Sequence, residues 1–246
     1  MSVLELKGRY CKIDAETADP AKLLIVDEED MRLSREETAF VLVDTYVKDE
    51  DFLQVTKKYV KPALDSAREA GLHIVHISNS CPKIALSESE FQKKLKQSLN
   101  NDMEIYFNES NIDPKEYVYG NSDHLTIPDL IKPKSNEYFI RKHTYSGFYH
   151  TRLEDLLHNL GVKNLICVGY VAGVCLLATL LDGLYRNFKI ILLRECTLGA
   201  ERVLEESDDV LFADNTEKVI RYIECFVGVT VGSEEFNSTC SKMKGE

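Results

Sequence analysis

From Phe40 onward the chain repeats one pattern: a short apolar run, a polar loop, a stretch of helical period, then another apolar run. Strands buried on both faces read as continuous Val, Ile and Leu runs, and the helices between them act as crossovers that return the chain in the same direction. The pattern restricts the fold to α/β, a three-layer, mainly parallel sheet with helices on both faces, Rossmann-like. Six strands are predicted: Phe40 to Val43, Leu72 to Ile77, Glu137 to Arg141, Leu165 to Gly169, Lys189 to Leu193 and a short Phe226 to Val231. Helices are predicted over about Phe52 to Ala70, Ser87 to Leu99, Thr151 to Asn159, Cys175 to Arg186 and residues 200–224, with Gly71 and Gly161 as stops. The helix from Cys175 is apolar on nearly every side, so burial is expected, with Gly183 permitting close packing.

Two stretches break the rhythm within what reads as one domain over residues 1–246. Residues 1–36 form a charged N-terminal arm in which Val3 to Lys7 and Leu23 to Val26 read as short strands or a hairpin. Residues 79–136, rich in Asn, Asp, Pro and Tyr, read as an insertion that forms a lid or an interface. The tail after Asn237 reads as frayed. A net charge of -11 argues against nucleic acid and anionic membranes as partners. No apolar run approaches the roughly 20 residues that span a bilayer, and no basic segment leads into an apolar one, so a cytoplasmic protein is expected. The seven cysteines contain no Cys-x-x-Cys pair, which indicates neither a disulfide framework nor a zinc ribbon.

Ligands of open parallel sheets bind outside the carboxyl ends of the strands. Three chemically useful residues fall there: Asp44 after the first strand, Lys142 after the third, and Cys175 where the fourth turns into a helix through Gly169-Tyr170-Val171-Ala172-Gly173-Val174. A free thiol with a pKa near ~8.5 is mostly protonated at neutral pH, and a helix N-terminus and a lysine ammonium both favour the thiolate. Asp44 is placed to take the thiol proton and return it to a leaving amine, while backbone N–H groups of the turn hold an oxyanion. Each residue also has a plainer reading. Cys175 can be a packed core thiol, Asp44 a loop cap or a phospho-acceptor, and Lys142 a solvated strand end. Cys81, beside Pro82, is the rival thiol, with no helix start after it. Tyr46, Asn79, Tyr145 and Tyr170 flank the strand ends as substrate-binding candidates or as ordinary loop and core residues. His73 and His76 stand three apart on a strand and point to opposite faces, and Asp49-Glu50-Asp51 reads as solvated loop, so no metal is expected. Neither a complete Gly-x-Gly-x-x-Gly fingerprint nor a P-loop occurs, and no cofactor is expected.

The run Lys142-His143-Thr144-Tyr145-Ser146-Gly147-Phe148-Tyr149-His150-Thr151-Arg152-Leu153, followed by Gly161, Gly169, Cys175, Thr179 and Asp182, resembles the isochorismatase-like cysteine hydrolases. From Lys142 through Cys196 the pattern is most similar to ureidoacrylate amidohydrolases and related N-carbamoyl amide hydrolases. The resemblance covers Thr38 to about Thr197, with residues 79–136 matching poorly. It implies a six-stranded, mainly parallel sheet, a homo-oligomer (dimer or tetramer), and a catalytic triad of Asp44, Lys142 and Cys175. It also implies a non-proline cis peptide between Val171 and Ala172 and an oxyanion hole from the N–H groups of Ala172 and Cys175. The activity it implies is cofactor-independent cleavage of a small amide or ureido substrate through a thioester. Two departures, Thr45-Tyr46 in place of a Gln-Asn-like pair and Ala172 in place of Thr or Ser, bear on the substrate. Alternatives are a vinyl-ether hydrolase that works through the Asp, against which Cys175 argues, and a non-catalytic binding or assembly module.

Overall fold

A computed structural model describes residues 2–17, 19, 23–46, 49–79, 127–142, 144–200 and 215–243. Its strands are β1 (Val3–Ile13), β2 (Leu24–Ser34), β3 (Thr38–Val43), β4 (His73–Asn79), β5 (Tyr138–Lys142), β6 (Asn164–Tyr170), β7 (Lys189–Leu198) and β8 (Val229–Val231). They form one eight-stranded sheet in the order β2-β1-β8-β7-β6-β3-β4-β5. The six strands from β3 to β8 are parallel to one another, as the alternating pattern requires.

The count of six is corrected to eight by the N-terminal stretch. The short strands expected there are two 11-residue strands, paired antiparallel along their whole length. Leu4, Leu6, Met31 and Leu33 alternate with charged residues and are buried on one face, which fixes the register. β1 then joins β8 antiparallel through Arg9 and Thr230, making the sheet mixed.

Strand alternation sorts the core into two layers. Phe40, Leu42, Ile74, Ile166, Val168, Ile191 and Leu193 face one way, against α1 (Glu50–Val55), α2 (Lys61–Glu69) and the C-terminal helix Ser233–Lys242. Val41, Val43, Val75, Ile77, Leu165, Cys167 and Leu192 face the other, against α3 (Leu153–Asn159), α4 (Leu177–Tyr185) and α5 (Thr216–Phe226). A π turn, Thr56–Val60, joins α1 to α2, so the predicted helix is continuous in outline. Asp49 is exposed, as expected, and also caps α1: its Oδ1 accepts the N–H groups of Asp51 and Phe52 at 3.0 and 3.2 Å.

The C-terminal helix, α6, corrects the frayed tail. Phe236, Thr239 and Cys240 are buried, and Phe236 stacks on Phe40 with ring centroids 5.7 Å apart. The apolar helix after β6 is buried along Leu176, Thr179, Leu180 and Gly183, while Leu177, Leu181 and Leu184 are half-buried. Gly183 does serve close packing, since a Cβ there would stand 3.0 Å from Ile190 Cδ1. Residues 80–126 and 201–214 lie outside the described residues, and with them Cys81, the helix expected at Ser87 to Leu99 and much of the 79–136 insertion. Among the described residues, no helix is long and apolar enough to cross a membrane.

Candidate active site

The strand order reverses between β6 and β3, because β3-β4-β5 extends one way and β6-β7-β8 the other. Such a switch point opens a crevice at the carboxyl ends of the strands. Four neighbouring strands deliver their end residues to it. β6 runs into the helix start that carries Cys175, β3 ends just before Asp44, β4 ends on Asn79, and β5 ends on Lys142.

Local backbone geometry brings these ends together. Gly169 has φ +129, and a Cβ on it would fall 1.9 Å from the carbonyl oxygen of Val43, so only glycine lets β6 approach β3 here. Asp44 itself has φ +48, a left-handed conformation uncommon outside glycine and concentrated at functional sites. Its N–H donates to Ile77 O at 2.8 Å, which pins the turn to β4.

Asp44 and Lys142 are fully buried, and Lys142 Nζ lies 2.6 Å from Asp44 Oδ2. Nζ also donates to Asn79 Oδ1 at 2.5 Å and to Thr144 O at 3.1 Å. Burial works to drive the lysine pKa down, but the Asp44 carboxylate and the Cys175 sulfur outweigh it and hold the pKa above its usual value. The lysine is therefore an ammonium. Asp44 Oδ1 accepts the backbone N–H of Asn79 at 3.1 Å. Its Oδ2 accepts no aligned N–H or O–H among the described residues, and the carboxylate acts on the Cys175 thiol.

Cys175 as a residue is partly exposed. Its thiol is pushed up to about 12, first by burial and then by Asp44, against the opposing pull of Lys142. The helix start and the Lys142 ammonium favour the thiolate. Low-dielectric surroundings and a carboxylate outweigh both, and the resting sulfur carries its proton.

The helix start is held by the loop after β5. Thr179 Oγ1 donates to Cys175 O at 2.7 Å and accepts the N–H of Gly147 at 3.0 Å. One helical turn on, Asp182 accepts a short hydrogen bond from Ser146 Oγ. Thr179 and Asp182, four and seven residues after Cys175, share a helix face; no role for them was read from the sequence, and that spacing is the signal that could have given one.

Not every flanking candidate joins the group. Tyr170 lies in the opposite core layer, edge-on to Phe52 at 4.8 Å, with its hydroxyl 2.8 Å from Thr56 Oγ1. Strand alternation places it with Ile166 and Val168, so it is a core aromatic rather than a pocket residue. Tyr46 is buried and accepts from Asn79 Nδ2 at 2.8 Å, whereas Tyr145 is 40% exposed. The cis peptide lies between Tyr170 and Val171, one bond earlier than Val171–Ala172. β6 runs through Tyr170 and the helical turn begins at Ala172, which leaves Val171 as the extended residue between them.

The chain is 27% identical over 191 residues to ureidoacrylate amidohydrolase RutB of Acinetobacter baylyi, covering 70% of this chain and 75% of that one. Among solved structures, a cysteine hydrolase from Pseudomonas syringae pv. phaseolicola superposes with a TM-score of 0.67 at 20% identity, over 86% of this chain and 95% of the other. N-carbamoylsarcosine amidase from Thermoplasma acidophilum superposes with a TM-score of 0.55 at 21% identity, over 80% and 97%. Residues 37–208, from the start of β3 past the end of β7, match the isochorismatase domain, and the chain belongs to the isochorismatase family of hydrolases.

Proposed function

We propose that this hydrolase is a cysteine amidohydrolase that cleaves the C–N bond of a small amide or ureido substrate through a thioester. The observation that carries the reading is the buried Lys142–Asp44 contact at 2.6 Å with the Cys175 thiol beside it at the switch point. The relative named ureidoacrylate amidohydrolase supports the choice of bond.

The thiol attacks as its proton leaves. Cys175 Sγ bonds to the substrate carbonyl carbon, its proton passes to Asp44 Oδ2, and the carbonyl π electrons move onto oxygen. Lys142 keeps its charge throughout and offsets the negative charge that develops on sulfur. The N–H groups of Ala172 and Cys175, in the first turn after β6, receive the oxyanion. Collapse breaks the C–N bond, and the leaving nitrogen takes the proton from Asp44. Water then attacks the thioester, giving one proton to Asp44. Collapse breaks the C–S bond, and that proton returns to sulfur. A ureido substrate handled this way yields a carbamate, which decomposes to ammonia and carbon dioxide. The thiol favours this route over vinyl-ether hydrolysis, which has no use for a nucleophile.

Ammonia release across a panel of ureido acids, biuret-like compounds and primary amides tests the reading. At least one class is expected to turn over, and Cys175→Ser is expected to reduce kcat by about 10³-fold or more while leaving the fold intact. Full activity in Cys175→Ser, or a silent panel, defeats it.

A further inference from the structure

Lysine carries its charge on a flexible four-carbon stem, so a buried ammonium needs fixed acceptors to hold one direction. Asp44 alone does not supply that. Its Oδ2 is 2.6 Å from Nζ but accepts no aligned N–H. Asn79 Oδ1 at 2.5 Å and the carbonyl of Thr144 at 3.1 Å are aligned acceptors. Asp44 and the sulfur of Cys175 also act on the ammonium.

We propose that Asn79 is a positioning residue: it aims the Lys142 ammonium at Cys175, and the hydroxyl of Tyr46 holds Asn79 in the orientation that does so. Three features support this. Asn79 ends β4 directly opposite Lys142 in the β4–β5 register, so its side chain meets the ammonium without a loop between them. Its backbone N–H donates to Asp44 Oδ1 at 3.1 Å, so a single residue touches both charged partners. Its Nδ2 donates to the Tyr46 hydroxyl at 2.8 Å, which assigns Oδ1 to the lysine; the flipped amide would set an NH2 against the ammonium. Because the amide is neutral, it fixes the direction of Lys142 without cancelling the charge that assists the thiol. Tyr46 is 6% exposed, which suits a strut better than a substrate platform. The inference rests on the thiol chemistry proposed above.

The test reads Cys175 directly and needs no substrate. Peptide-resolved iodoacetamide labelling is followed from neutral to alkaline pH in the wild-type protein and in Asn79→Ala, Asn79→Asp and Tyr46→Phe, with thermal melts alongside. Asn79→Ala is expected to slow Cys175 labelling at neutral pH about tenfold or more, and to move its rise to higher pH. Asn79→Asp should move the rise further, since a second carboxylate offsets the ammonium, and Tyr46→Phe should act as Asn79→Ala does but by about threefold. An unmoved profile in folded Asn79→Ala overturns the proposal. Should that variant not fold, Tyr46→Phe, which loses one oxygen atom, decides by the same criterion. Wild-type Cys175 labelling no faster than the buried Cys167 and Cys196 would overturn the thiol mechanism, and this proposal with it. Fast wild-type labelling with unmoved variants overturns the positioning role alone.

Discussion

At the residue scale, Gly169 shows how tightly the site is specified. An alanine Cβ would overlap the Val43 carbonyl at 1.9 Å and require φ +129, so both sterics and backbone oppose it. Gly169→Ala is expected to destabilise the fold by about 3 kcal/mol or more, read as a lower urea midpoint or loss of soluble protein. The contact could not be seen in the sequence, where Gly169 is one glycine among 12. Asp44 and Lys142 were legible as polar residues that close apolar runs, and Cys175 as a thiol where an apolar strand turns into a helix. The place of Tyr170 was legible too, by counting in twos from Ile166, but proximity to Cys175 in sequence suggested the wrong layer. Asn79 gave no comparable signal. A polar strand end acquires meaning only when its neighbour in register, Lys142, is known.

At the element scale, β4, β5 and α2 are joined by a second buried polar group, set apart from the crevice. Glu137, just before β5, accepts from Arg68 of α2 at 2.7 and 3.0 Å and from the Lys134 N–H at 3.0 Å. It also lies 2.8 Å from Nε2 of the fully buried His76. Burial pushes the histidine pKa down despite that carboxylate, so His76 is neutral and its Nε2–H is the donor to Glu137. Burial works to raise the Glu137 carboxyl, but Arg68, the Lys134 N–H and His76 outweigh it and lower it to about 2. The signs of the two shifts give one direction. Glu137 contributes stability above its ordinary value of 4.5, lost as pH falls toward about 2. His76 resists protonation when folded, so stability also falls below its ordinary 6.5. Glu137→Gln is expected to cost up to about 3 kcal/mol at neutral pH and to flatten the dependence of stability on acid below about pH 5, measured by urea unfolding at several pH values. The parallel strands were legible at this scale because both faces are apolar. The hairpin was legible only in part, as short strands at Val3 to Lys7 and Leu23 to Val26, because Asp27-Glu28-Glu29-Asp30 masks a strand whose buried face shows only at Met31 and Leu33.

At the scale of the whole molecule, the hairpin is fastened where β8 meets α5. Buried Glu224 accepts from Arg9 Nε at 2.6 Å, from Thr230 Oγ1 at 2.7 Å and from Arg221 at 2.8 Å. The backbone N–H of Lys7 donates to Glu235 at 2.6 Å, and Thr239 Oγ1 donates to Glu5 O at 3.1 Å. Glu224→Ala is expected to cost about 2 kcal/mol and to speed hydrogen exchange in β1 and β2 more than in β3 to β6. Turnover of any substrate found should hold, because three strands, β8, β7 and β6, separate β1 from Asp44.

The same fastening sets a clock on synthesis. Arg9 and Glu224 are 215 positions apart, so at about 5–20 residues per second the ribosome needs on the order of ten to forty seconds to supply the partner. Leu4, Leu6, Met31 and Leu33 spend that interval without the layer that covers them. The hairpin is made before the elements that it docks on, so the nascent chain presents a sticky edge throughout that interval.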